Sequence, residues 1–207
     1  MKKPSVLLFF LAAGIILFEC FLSAQPELPA TELPVLITSC GQSPGATMLK
    51  VIFMRIKIDT PAHPYEINPL ATAEDLQAKK REGIPYKSLI IVMGASLKGM
   101  GAAGISIDDE IKRTENLIAE ARKQNMTVIG AHIEGMKRRA QGAAVGDNTD
   151  EQSIDAVAPN TDLLIIKREG NQDDRFTIIA RDKNIPMIEV EKNLDLIDEL
   201  GKLFKKS

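Results

Sequence analysis

Cys40, His132 and Glu134 are the residue types of a thiol acyl-transfer site. In such a site a thiolate attacks, an imidazole moves the proton and a third group orients the imidazole. Cys40 directly precedes the turn Gly41-Gln42-Ser43-Pro44-Gly45, after which a helical pattern begins. A thiol that faces a helix N-terminus loses its proton more readily, because the helix dipole favours the anion. The same cysteine also fits a plainer role, since an isolated cysteine behaves as a small buried hydrophobe. The sequence alone does not make its strand a neighbour of the one that carries His132.

A second chemistry needs no nucleophile. Glycines let a backbone approach a ligand closely, and the free N–H groups at the start of a helix favour an anion. Gly41, Gln42, Ser43 and Gly45 supply such a turn. Gly94–Gly104 (GASLKGMGAAG) supplies a second glycine-rich stretch, in which Gly94, Ser96, Lys98, Gly99 and Gly101 are expected to close over the ligand as a flexible loop. His132 and Glu134 would line the far wall. Gly99-x-Gly101-x-x-Gly104 has the letters of a dinucleotide fingerprint but the wrong setting. The fingerprint's glycines follow their strand directly and an acid follows the next strand, whereas here Gly94 to Lys98 intervene and the next run ends Gly130-Ala131-His132. No cofactor is expected. No metal is expected either, because His63 and His132 lack metal-ligand spacing to a cysteine or to each other. Lys137-Arg138-Arg139 reads as solvated surface, and Asp173-Asp174 as the opening of a helix.

Positioning these residues falls to short apolar runs that alternate with helical patterns. Val35–Thr38, Leu89–Met93, Thr127–Ile129, Leu163–Ile166 and Met187–Val190 are continuously apolar, with a weaker run at Tyr65–Ile67. Such runs are what parallel strands buried on both faces require. Between them lie helical stretches at Ala46–Ile58, Thr72–Arg81, Asp108–Gln124, Asp150–Val157, Asp173–Lys183 and Leu194–Phe204. The order predicts an α/β fold, a three-layer doubly wound parallel sheet of five or six strands, Rossmann-like or flavodoxin-like. In such sheets ligands sit beyond the carboxyl ends of the strands, where strand order reverses. That edge is where every candidate above falls.

Residues 1–24 have the parts of a cleavable signal peptide: Lys2 and Lys3, the apolar run Val6–Phe18, and Leu22-Ser23-Ala24 before Gln25. Glu19 ends the apolar run well short of the ~20 residues that span a bilayer. Residues 25–33 read as a Pro-rich tether and 34–207 as one α/β domain. Export to the periplasm or the extracellular space is therefore expected, with no stable membrane insertion after cleavage. Cleavage removes Cys20 and leaves Cys40 unpaired, so no internal disulfide holds the fold. The whole chain has 26 basic and 28 acidic residues, and losing Lys2, Lys3 and Glu19 brings the formal charge to −3. A nearly balanced, slightly acidic charge gives no footprint for nucleic acid or anionic lipid at the level of the whole chain.

The segments PVLITSCGQSPG, MGASLKGMGAAG, IGAHIEG and LLIIKREGNQDD together resemble an uncharacterised family of short exported bacterial proteins, a domain of unknown function. The resemblance spans the expected mature chain. It implies a Rossmann-like fold and export, and brings no catalytic residues with it. The function expected from the residues is an exported single-domain protein that binds a small polar or anionic ligand at the carboxyl edge of its sheet. Two alternatives stand beside it: a hydrolase or transferase using Cys40 with His132, and a non-catalytic adaptor of a membrane transporter or sensor.

Overall fold

Strands that are apolar at every position need cover on both faces, and the computed structural model provides it. It describes residues 26–56, 64–142 and 147–204. The expected signal peptide and His63 lie outside them. Six strands, β1 (Val35–Cys40), β2 (Tyr65–Ile67), β3 (Ser88–Met93), β4 (Thr127–His132), β5 (Leu163–Lys167) and β6 (Met187–Val190), form one parallel sheet in the order β2-β1-β3-β4-β5-β6. The fold is thus a three-layer, doubly wound α/β sheet of the flavodoxin-like kind.

Period-two alternation sends successive side chains to opposite layers. Leu36, Leu89, Ile91, Val128, Leu164 and Ile166 pack on one side of the sheet. There they meet α2 (Ala73–Arg81), α4 (Ile107–Lys123), α5 (Thr149–Val157) and α6 (Arg175–Lys183) through Leu76, Leu117, Ile154 and Phe176. Val35, Ile37, Ile90, Val92, Ile129 and Ile165 pack on the other side, against α1 (Gly45–Arg55) and α7 (Leu196–Phe204) through Leu49, Phe53, Leu200 and Phe204.

Local sequence sets the helix ends. Thr72 with Asp75 and Ser106 with Asp109 form reciprocal capping boxes that start α2 and α4. One departure from expectation bears on the site: the glycine-rich stretch is not a flexible loop. Ser96 caps a short helix, α3 (Leu97–Ala103), by accepting from the Gly99 N–H at 3.1 Å, and Gly104 ends it in the left-handed conformation. Buried Met100 anchors it.

The expected tether is docked from Ala30 onward. Thr127 Oγ1 donates to the Ala30 carbonyl at 2.7 Å, Thr31 Oγ1 to the Leu203 carbonyl at 2.6 Å and Ser88 Oγ to the Glu32 carbonyl at 2.7 Å. Residues 30–32 therefore strap the starts of β3 and β4 to the end of α7, along the sheet edge opposite the candidate residues.

Candidate functional site

Strand order reverses between β1 and β3, so the loops after these two strands flank the crevice in which such folds take ligands. Here the two loops are joined. The Ser96 N–H donates to the Gly41 carbonyl at 2.7 Å, and Gln42 and Ala95 form an antiparallel bridge. Close approach dictates the glycines. Gly41 has φ +102°, and a Cβ on it would lie 2.6 Å from the Ala95 Cα. A Cβ on Gly99 would lie 2.2 Å from the Gln42 carbonyl oxygen. These glycines serve the contact between two loops.

The backbone donors of this crevice already hold acceptors. Gly41 N–H donates to Glu110 Oε2 at 2.7 Å, Gly45 N–H to Glu134 Oε1 at 3.0 Å and Ala95 N–H to Asp150 Oδ1 at 2.6 Å. Gly94 N–H donates to Ser153 Oγ at 3.0 Å, and that hydroxyl donates onward to the Cys40 carbonyl at 2.7 Å. Three carboxylates thus stand where the anionic groups of a ligand were expected. Each is balanced differently. Glu110 is fully buried and receives Gln42 Nε2 at 3.0 Å and Arg113 Nε at 3.0 Å. Glu134 pairs with Arg138 Nε at 3.2 Å, and Arg138 Nη1 also donates to the Ala95 carbonyl at 2.8 Å. Burial pushes the Asp150 carboxyl up to about 6, against the lowering pull of the Ala95 N–H and Arg138.

Of the other expected ligand residues, Ser43 is buried and its hydroxyl lies 3.4 Å from the Gly45 nitrogen. Lys98 and Gly101 are exposed on α3, and no atom outside the helix comes within 4 Å of a Cβ built on Gly101. Gln42 is half-buried, has φ +55°, and gives its side-chain amide to the Pro69 carbonyl at 2.9 Å as well as to Glu110.

The thiol and the imidazole do not meet. Cys40 pairs with Met93, and His132 Nδ1 lies 3.3 Å from the Met93 carbonyl, so one strand separates them by two sheet spacings, about 10 Å. Both side chains have no solvent exposure. Burial pushes the Cys40 thiol up, away from the thiolate, although the Thr114 and Ser153 hydroxyls pull the other way. Burial likewise lowers His132 to about 4. Its Nε2 lies 3.2 Å from the Gly135 carbonyl, its ring centroid 5.0 Å from that of Phe176, and the Gly170 backbone packs on its edge.

The sequence matches a family described as Domain of unknown function (DUF6305) over residues 32–204. The chain belongs to the DUF6305 family. No curated protein matches it in sequence. Among solved structures, this DUF6305 chain is similar to the psychrotrophic esterase EstA from Pseudoalteromonas sp. at 10% identity and a TM-score of 0.37, over 84% of this chain and 97% of that one. It is similar to an acetyl xylan esterase, AlAXEase, at 12% identity and a TM-score of 0.37, over 82% and 85% of the two chains. A GDSL-like lipase from Bacteroides thetaiotaomicron aligns at 14% identity and a TM-score of 0.31, over 87% and 81%.

The residues that organise the crevice of this DUF6305 domain are ones that motif reading passes over. Glu110 occupies the buried stripe of α4, four residues before Thr114 and seven before Leu117. A carboxylate at a core position of an amphipathic helix is the signal that marks it. Asp150 and Ser153 lie three apart in α5 and face the β3 loop together. Lys137-Arg138-Arg139 is no solvated run. Arg139 is 2% exposed and binds Glu151 at 2.8 Å, Asp173 at 2.6 Å and the Gly170 carbonyl, beneath the face of Phe176. Among the described residues, no three His, Cys, Asp or Glu side chains gather as metal ligands.

Proposed function

We propose that the protein is an exported, non-catalytic binding protein that takes a small ligand through a carboxylate or phosphate group at the N-terminus of α1. The observation that carries this reading is the seat of Glu134. Its carboxylate caps the Gly45 N–H at 3.0 Å and pairs with Arg138, whose side chain is 24% exposed. An anion at that place gains the helix dipole, a backbone donor and a guanidinium. Glu134 is then an internal stand-in that a ligand anion displaces. The sealed, mutually distant Cys40 and His132 support binding over thiol catalysis.

Displacement has a signature that ordinary binding lacks. An internal competitor lowers the apparent affinity by the fraction of time the site is open. Isothermal titration with inorganic phosphate, acetate and succinate is therefore expected to find at least one probe that binds Glu134→Gln about tenfold or more tighter than it binds the unaltered protein. Adding Arg138→Gln to that variant is expected to abolish the gain. If none of the probes binds Glu134→Gln more tightly, or if the gain survives without Arg138, the reading is wrong.

A further inference from the structure

Parallel strands send every connecting helix back to the same edge, so basic residues that favour helix C-termini accumulate there. The last turns of α1, α2, α4, α6 and α7 carry Arg55, then Lys79, Lys80 and Arg81, then Arg122 and Lys123, then Arg181 and Lys183, then Lys202. Several are neutralised locally: Lys79 by Glu66 at 3.2 Å, Arg122 by Asp162 at 2.5 Å and Lys202 by Glu199 at 2.6 Å. Lys80, Arg81 and Lys87 are exposed and make no ion pair within 4 Å among the described residues; Glu82 shares their turn, and the Glu120 carboxylate lies near enough to Lys80 to feel its charge. Lys87 sits at the start of β3, where its backbone bridges Pro34 and Thr127.

Two large apolar side chains share this edge. Ile84, between Arg81 and Lys87, is 56% exposed, and Leu28, just before the strap, is 53% exposed. Cations flanking an outward apolar tip are the composition of a surface that rests on a bilayer interface, the charges meeting anionic headgroups and the apolar tip entering the acyl boundary. We propose that the amino-terminal edge, through Lys80, Arg81, Lys87 and Ile84, docks on an anionic lipid bilayer and holds the carboxyl-edge site facing away from the membrane.

Co-sedimentation of the full-length chain with pure phosphatidylcholine vesicles and with mixed phosphatidylcholine–phosphatidylglycerol vesicles tests this. Apolar attraction of residues 6–18 is common to both vesicle types and the charge of Lys2 and Lys3 is common to every variant, so the change in the anionic-to-neutral ratio on substitution reads the docking edge. A cation near an anionic surface contributes about fivefold to partitioning, so reversing Lys80, Arg81 and Lys87 to Glu is expected to lower partitioning onto the mixed vesicles about a hundredfold or more. Ile84→Ser is expected to lower it about tenfold. Lys137→Glu with Lys192→Glu, at the opposite edge, is expected to leave it within about twofold. Equal partitioning of the unaltered chain onto the two vesicle types overturns the proposal. So does a charge reversal at the amino edge that changes nothing, or one at the opposite edge that matters as much.

Discussion

His132 and Asp150 are buried titratable groups whose pKa values move in opposite senses, so between pH 4 and 6.5 they pull the stability of the fold in opposite directions. Burial holds His132 near about 4, below the ordinary 6.5, so its neutral form belongs to the folded state. The stability it contributes is complete above pH 6.5 and is lost as pH falls toward 4, roughly 3 kcal/mol by linkage. Asp150 is raised to about 6 from 3.8, so its protonated form is the one favoured by folding. Its contribution is complete below pH 3.8 and is lost as pH rises through 6, about 2 kcal/mol after allowance for solvent screening. The two terms offset each other through most of this range, and the unaltered protein should change little in stability across it. Asp150→Asn is expected to uncover the histidine and lose stability steeply on acidification. His132→Asn is expected to uncover the aspartate and gain stability over the same interval. Urea unfolding at a series of pH values checks both slopes; parallel slopes in all three proteins would refute the assignment.

At the scale of elements, the glycine-rich stretch divides into positions the fold requires and positions it merely tolerates. Gly99 and Gly101 are both in α3, yet only Gly99 touches the β1 loop. Gly99→Ala must push a Cβ into the Gln42 carbonyl and is expected to destabilise the protein by about 2 kcal/mol. Gly101→Ala meets nothing and is expected to stabilise the helix by about 1 kcal/mol. Thermal melts of the two variants should therefore shift in opposite directions, and a common sign would contradict the loop contact. The same pair explains what the sequence made legible. Continuous apolar runs identify buried strands, and Thr72-x-x-Asp75 identifies a helix start, because those signals act within a few residues. Five strands and the carboxyl edge were readable on that basis, and Tyr65–Ile67, interrupted by Glu66, only as a weaker sixth. Helix α3 was not, since three glycines in a row of eight lower helix propensity and only the Ser96 cap, Met100 burial and the Gln42 contact overcome it. Of the site's carboxylates, Glu134 was legible as a residue of the carboxyl edge, but Glu110 and Asp150, and the N–H that each of the three holds, were not, for a related reason. Glu110, Asp150 and Glu134 are separated from the N–H groups they hold by 69, 55 and 89 residues. Only the strand order brings them together.

The molecule as a whole is pinned at one edge and joined at the other, and the pins are three hydroxyls. Thr31, Ser88 and Thr127 each bond across the strap, which closes the starts of β3 and β4 against the end of α7. A passive tether would contribute nothing to the domain, whereas a strap that crosses two strands and the last helix limits fraying of all three. Each such bond stabilises by about 1 kcal/mol, and three independent ones should sum to about 3 kcal/mol. The variant Thr31→Val, Ser88→Ala, Thr127→Val is therefore expected to melt about 6–12 °C lower. The Glu134–Arg138 seat, at the far ends of the strands, should keep its response to the probe anions in that variant, because local bonds hold it. A melting temperature within a degree or two of the unaltered protein would show the strap to be a bystander. Loss of the anion response together with the melting shift would mean instead that the two edges of the sheet are coupled through the strands that join them.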